Sequence, residues 1–168
     1  MATPSPTEVE PSLSLSFNFS LIKDVSIDSL PTNILDIFSG VGSFGLECLS
    51  RGAKKVIFIE NYKEALNILK KNLINLKIIN NYEIVEKNAY EINTLNKIKE
   101  KFDIIFLDPP YKDKNINLLI DQIIDQKILK KNGIVLIHRH KKDDIKITSK
   151  LNILDTRKYG ISKIIIGN

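Results

Sequence analysis

Residues 34–60, ILDIFSGVGSFGLECLSRGAKKVIFIE, decide the fold class of this chain. An apolar run, a glycine-rich turn, a short amphipathic segment and a second apolar run follow one another. Apolar runs of this kind are typical of strands that are buried on both faces, and parallel strands of this type are joined by helices. The stretch therefore predicts a strand, a helix and a second, parallel strand.

The rest of the chain repeats this alternation of strands and helices. Strands are predicted at 33–38, 54–60, 82–87, 103–107 and 133–138, and helices at 43–51, 61–76, 91–100 and 115–129. Two closing segments, 144–154 and 163–167, are predicted to pair as an antiparallel hairpin. The pattern indicates an α/β fold of Rossmann-like type, with a mainly parallel sheet covered by helices on both faces.

Composition indicates one soluble domain. The chain has 168 residues, of which 43% are hydrophobic, and no apolar run approaches the roughly 18 residues that a membrane span needs. Cys48 is the single cysteine, so no intrachain disulfide can form and we expect a cytoplasmic protein. We also expect a monomer.

The first 33 residues differ from the remainder. Half of the first twenty are Ser, Thr or Pro, and Lys23 is the first basic residue. Residues 1–33 contain four acidic residues and Lys23, so their charge is −3. Because the net charge of the whole chain is +5, residues 34–168 carry 5 − (−3) = +8. We expect a loose arm over 1–33 and a basic domain over 34–168, whose charge suits an anionic partner such as nucleic acid.

The glycine turn predicts a site for a nucleoside cofactor. Gly40, Gly42 and Gly45 fit G-x-G-x-x-G between a strand and a helix, and Glu60 ends the next strand, where it can accept from ribose hydroxyls. A plain strand-to-helix turn is the alternative. Asp36 would repel a pyrophosphate but suits a cationic amino group and a sulfonium, which favours S-adenosylmethionine over a dinucleotide.

A second motif follows the strand at 103–107. Asp108, Pro109, Pro110 and Tyr111 stand where strand ends gather ligands in an open parallel sheet. The Asp108 carboxylate and the Pro109 carbonyl can accept both hydrogens of a planar amine, and the prolines add no competing N–H donor. Tyr111 offers a face on which a base can stack. These four residues are the predicted catalytic set.

Both motifs, with the ending RKYGISKIIIG, resemble the class I S-adenosylmethionine-dependent methyltransferases of the RsmD type. The resemblance implies a seven-stranded sheet and methylation of a guanine 2-amino group of 16S rRNA in assembling small subunits. It also implies that Asp36, Gly40 and Gly42 line the methionine part of the cofactor, that Glu60 binds its ribose, and that Asn88 and Ala89 contact its adenine. The full predicted cofactor set is Asp36, Phe38, Gly40, Gly42, Glu60, Asn61, Asn88 and Ala89.

Two departures from the family pattern leave alternatives open. Asn88 stands where the family commonly has an acid, and residues 1–22 lack the basic arm that helps the family to grip RNA. The alternatives are methylation of an adenine amine or of a protein glutamine, and a non-catalytic cofactor-binding assembly factor. Cys48 is expected to be a packing thiol. His138 and His140 are expected at a strand end near solvent, and no metal site is predicted.

Overall fold

The computed structural model describes residues 32–78, 80–110 and 112–168. Positions 1–31 of the arm expected over 1–33 lie outside the described residues. Asn33 is the first residue of the first strand. The strands are β1 (Asn33–Ile37), β2 (Lys55–Glu60), β3 (Tyr82–Glu86), β4 (Phe102–Leu107), β5 (Leu129–His140), β6 (Ile153–Tyr159) and β7 (Ser162–Gly167). The helices are α1 (Ser43–Ser50), α2 (Lys63–Asn75), α3 (Ile92–Asn96) and α4 (Ile116–Asp125).

All seven strands belong to one sheet, in the order β3-β2-β1-β4-β5-β7-β6. Strands β1 to β5 pair in parallel, whereas β7 runs antiparallel to both β5 and β6. The predicted α/β class, seven-stranded sheet and closing hairpin are thus confirmed. Because β1 lies between β2 and β4, the chain leaves β1 toward one side and returns on the other, which opens a crevice at the carboxyl ends of these strands.

Side chains that alternate along the strands form a separate core on each face of the sheet. Leu35 and Ile37 of β1 belong to one core, which packs against α3 and α4. Ile34 of the same strand belongs to the other core, which packs against α1 and α2. Helices therefore cover both faces, as predicted. None of the helices in the described ranges is long and apolar enough to cross a bilayer.

Four predicted boundaries are wrong. The helix predicted over 91–100 ends at Asn96, and the strand predicted over 133–138 occupies Leu129–His140. The helix predicted over 115–129 ends at Asp125, since Lys127 takes a left-handed backbone (φ 54°) and β5 then starts at Leu129. The first strand of the closing hairpin was predicted over 144–154, but β6 occupies Ile153–Tyr159 and the hairpin turns at Gly160 (φ 57°). Ile145 and Ile147 pack on the core without entering the sheet, which explains the apolar pattern that suggested a strand.

Candidate active site

A cleft of about 460 Å³ opens at the carboxyl edge of the sheet. Its wall contains seven of the predicted site residues: Phe38, Gly40, Glu60, Asn61, Asn88, Asp108 and Pro110. They come from the ends of β1, β2, β3 and β4. A second groove, of about 490 Å³, lies along β3 and contains none of the predicted site residues. The chemistry-bearing side chains thus meet at the strand ends.

The turn after β1 is built from left-handed backbone. Phe38 (φ 60°), Gly40 (φ 55°) and Gly42 (φ 86°) all have positive φ. A Cβ at Gly40 would meet no atom within 4 Å, whereas a Cβ at Gly42 would lie 2.3 Å from Leu69 Cδ1. Gly40 therefore exposes its backbone at the cleft, and Gly42 allows the turn to approach helix α2.

Glu60 ties the glycine turn to the start of α2. The Gly40 N–H donates to Glu60 Oε2 at 2.7 Å, and the N–H groups of Asn61 and Tyr62 donate to Oε1 at 2.8 Å each. A carboxylate oxygen has two lone pairs, so Oε2 can accept one further hydrogen bond from a ligand. The side chain predicted for the ribose thus also fixes the loops on both sides of the cleft.

Asp36 is almost completely buried, with 1% of its surface exposed. The Gly45 N–H, in the first turn of α1, donates to Asp36 Oδ2 at 3.0 Å. Oδ1 is buried and has no hydrogen-bond partner in the described part of the chain. Burial, opposed by the Gly45 N–H and assisted by the carboxylates of Asp108 and Glu60, raises the pKa of Asp36 to about 8. The protonated form of this carboxyl is therefore favoured in the folded chain at neutral pH.

Asp108 begins the loop after β4, and its N–H donates to the carbonyl of Ile37 in β1 at 3.2 Å. Its side chain is 46% exposed, and Oδ1 lies 2.7 Å from Nδ1 of His138. Pro109 is buried and Pro110 is exposed. The loop therefore presents one carboxylate at the cleft, on a backbone that the sheet and a buried proline hold in place.

Four predicted residues do not belong to the cleft wall. Asp36 is buried in β1, Gly42 is buried within the glycine turn, and Ala89 and Pro109 are buried beside Asn88 and Asp108. Tyr111, the predicted stacking residue, lies outside the described residues. The roles assigned to all the site residues remain predictions.

Four residues at the site were not predicted from the sequence: Tyr62, Ala65 and Tyr90 in the wall of the cleft, and His138 beside Asp108. Tyr90 lines the cleft, its ring centroid is 5.5 Å from that of Phe38, and its hydroxyl donates to Asp113 Oδ2 at 2.6 Å. Burial, helped by this hydrogen bond, raises the pKa of Tyr90. His138 was expected near solvent but contacts Asp108. The sequence pattern places it near the end of a strand, but no signal in the sequence pairs it with Asp108, because that contact depends on β5 lying beside β4.

A family model described as "Conserved hypothetical protein 95", the model of the RsmD family, matches residues 16–168. The chain belongs to the RsmD family. A solved structure from Streptococcus pyogenes, described as a conserved hypothetical protein, is 25% identical with a TM-score of 0.79 and covers 89% of this chain and 93% of that one. The fold is that of class I methyltransferases.

Two curated relatives of this RsmD-family chain carry the name "Ribosomal RNA small subunit methyltransferase D". The protein from Haemophilus influenzae is 33% identical over 128 residues, which are 76% of this chain and 66% of the relative. The protein from Buchnera aphidicola subsp. Baizongia pistaciae is 40% identical over 108 residues, which are 64% of this chain and 54% of the relative. The match thus spans just under two thirds of the first relative and about half of the second.

Proposed function

We propose that the domain formed by residues 34–168 transfers the methyl group of S-adenosylmethionine to the 2-amino group of a guanine in 16S rRNA, during assembly of the small subunit in the cytoplasm. The observation that carries the proposal is the shared cleft, whose wall contains both Gly40 of the glycine turn and Asp108 of the Asp-Pro-Pro loop. The names of the two curated relatives support rRNA as the substrate.

The residues at the cleft fit a cationic nucleoside cofactor. Asp36 holds a buried carboxyl oxygen without a partner among the described residues, and its pKa is raised in part by the carboxylates of Glu60 and Asp108. A positively charged ligand would offset the repulsion that these two carboxylates exert on an ionised Asp36, so the three groups together suit a cation. S-adenosylmethionine supplies a methyl group on a positively charged sulfur, which is an excellent leaving group.

The chain itself contributes mainly orientation. The lone pair of an exocyclic amine is delocalised into the base, so it is a poor nucleophile. Asp108 and the carbonyl of Pro109 would accept the two amine hydrogens, which localises the lone pair and aims it at the methyl carbon. The prolines lack N–H groups that would compete for these acceptors. As the new C–N bond forms, the bond from the methyl carbon to sulfur would break and leave a neutral thioether, and Asp108 would take the proton that the amine loses.

Loss of the Asp108 carboxylate tests this function. Asp108→Ala should lower the rate of methyl transfer to undermethylated small subunits by roughly 10²-fold or more, because the amine loses its acceptor. Binding of S-adenosylmethionine, measured by calorimetry, should remain. Asp125→Ala is the matched control, because this exposed carboxylate pairs with Lys150 on the surface of α4. An unchanged rate in Asp108→Ala would remove Asp108 from the mechanism.

The identity of the methylated product separates the alternatives. Nucleoside analysis of the labelled RNA should give N2-methylguanosine. Labelled adenosine, or a labelled protein glutamine, would move the activity to another planar amine. Cofactor binding without labelling of any substrate, under conditions in which a longer relative labels guanine, would instead indicate a non-catalytic assembly factor.

A further inference from the structure

His138 is held on both sides of its ring by hydrogen-bonding groups from different parts of the sheet. Nδ1 lies 2.7 Å from Asp108 Oδ1, at the end of β4, and Nε2 lies 2.9 Å from Ser162 Oγ, at the start of β7. The residue itself belongs to β5, where the preceding residue, Ile137, pairs with Leu107. The position of the ring is therefore set by three neighbouring strands.

The chemistry of the two partners selects one form of the neutral imidazole ring. An ionised carboxylate only accepts hydrogen bonds, so Nδ1 carries the hydrogen and donates to Asp108. Nε2 is then the acceptor, and the hydroxyl of Ser162 donates to it. Ser162 can play either part, but Asp108 cannot, which assigns the Nδ1–H tautomer.

The carboxylate of Asp108 needs such a partner. Its side chain is 46% exposed and stands at the first position of the loop after β4. Within the described residues, the hydrogen bond from His138 engages Oδ1, and no partner engages Oδ2. One oxygen is thus anchored, while the other remains available at the wall of the cleft.

We propose that His138 is a positioning residue for methyl transfer: its Nδ1–H holds Oδ1 of Asp108, which leaves Oδ2 to accept a hydrogen from the substrate amine. The inference rests on the function proposed above. Small displacements of a catalytic group can lower the rate by roughly 10²-fold, so an anchored carboxylate has a large advantage over a rotating one. A purely structural alternative is that His138 only ties β5 to β7 through Ser162.

Three substitutions of His138 separate these two roles. His138→Asn places an amide nitrogen close to the position of Nδ1, so it can still donate to Asp108. His138→Gln places its amide nitrogen close to Nε2, where it can reach Ser162 but not Asp108. His138→Leu removes both hydrogen bonds and keeps a similar volume. His140→Asn serves as the control, because it alters the same strand two residues away from the contact with Asp108.

The expected order of activity follows the donor at the Nδ1 position. His138→Leu and His138→Gln should lower kcat by roughly 10- to 100-fold, while His138→Asn stays within about 3-fold of the wild type. Cofactor affinity, KM for the small subunit and thermal unfolding should change little. In an Asp108→Ala background, His138→Leu should cause no further loss. Equal losses in all three His138 variants, or a loss of folding alone, would overturn the proposal.

Nitrogen NMR of the labelled histidine gives a readout that does not depend on activity. The wild type should show the Nδ1–H tautomer, and Asp108→Ala should release the ring from that form. Finding the Nε2–H tautomer in the wild type would overturn the proposal even if the protein methylates nothing. If labelled adenosine or glutamine replaces guanine, the proposed substrate fails, but the ranking of the His138 variants still tests His138 on that substrate.

Discussion

At the scale of single residues, the burial of Asp36 has a measurable consequence for folding. Its ordinary pKa of 3.8 rises to about 8, chiefly because burial disfavours the charged form. The folded chain therefore holds one more proton than the unfolded chain between about pH 4 and pH 8. The contribution of this proton to the free energy of unfolding is fully present below about pH 4, and it is lost as the pH rises to about 8.

Asp36→Asn should remove this dependence, because an amide does not titrate. We expect the unfolding free energy of the variant to fall less steeply between pH 5 and pH 8, by up to about 1.4 kcal/mol per pH unit. Urea unfolding at several pH values measures it. Asp155→Asn is the control. Arg157 and the Thr156 N–H lower the pKa of this exposed carboxyl, so the group titrates below pH 5 and its replacement should not change the slope between pH 5 and pH 8. Equal slopes in the Asp36 variant and the wild type would contradict the assignment.

Gly45 shows why a small residue is needed where α1 meets β2. A Cβ at this position would lie 2.3 Å from Phe58 Cε1 and 2.9 Å from Val56 Cγ1, and both side chains are fully buried. Gly45→Ala should therefore destabilise the fold by roughly 1–3 kcal/mol, although alanine favours the helix. Chemical denaturation measures the cost, with the exposed Ser50→Ala in the same helix expected within about 0.5 kcal/mol. An unchanged free energy of unfolding in Gly45→Ala would mean that the ring of Phe58 can move to make room for the added methyl group.

At the scale of elements, α2 illustrates how far periodicity reaches. The apolar spacing predicts a helix over 61–76, and the helix forms at Lys63–Asn75 with Leu66, Leu69 and Leu73 buried. Tyr62 and Leu76 continue the same apolar spacing, yet they are 60% and 55% exposed. Tyr62 and Leu76 are the two cap residues of the helix, and these ends of the helix are not covered by the sheet. Periodicity specifies a face but not where the neighbouring layer ends.

The buried face of α2 should dominate its contribution to stability. Leu69 is fully buried and contacts the core that packs against α1 and α2, so Leu69→Ala should cost roughly 2–5 kcal/mol. Ile74 in the same helix is 74% exposed, and Ile74→Ala should change stability by less than about 0.5 kcal/mol. Urea unfolding of the two variants makes the comparison. Similar costs would show that burial along the helix does not follow the observed pattern.

At the scale of the whole molecule, the order of the strands brings distant residues to one edge. Asp36 and His138 are about a hundred positions apart in sequence, yet both stand near Asp108. The alternation of strands and helices was sufficient to predict the shared crevice, because parallel strands end on the same side. It could not predict the partner of Asp108, because that contact depends on β5 lying beside β4 and on the register between them.

The distribution of charge is also a property of the whole chain. Residues 1–33 carry −3 and residues 34–168 carry +8, so the acidic N-terminal residues reduce the attraction of the domain for a polyanion. Replacing Glu8, Glu10, Asp24 and Asp28 with their amides would raise the net charge from +5 to +9. Because the attraction acts through solvent, added salt should screen it.

We expect this four-residue variant to bind a 16S rRNA fragment roughly 2- to 10-fold more tightly than the wild type at low salt, with the difference lost near 0.5 M salt. Fluorescence anisotropy at a series of salt concentrations measures both affinities. Ser12→Ala with Ser14→Ala is the control, because it alters the same segment without changing its charge. Equal affinities for the wild type and the four-residue variant at low salt would show that the basic domain contacts RNA without sensing the charge of residues 1–33. A gain that persists at high salt would point instead to direct contacts made by the new amides.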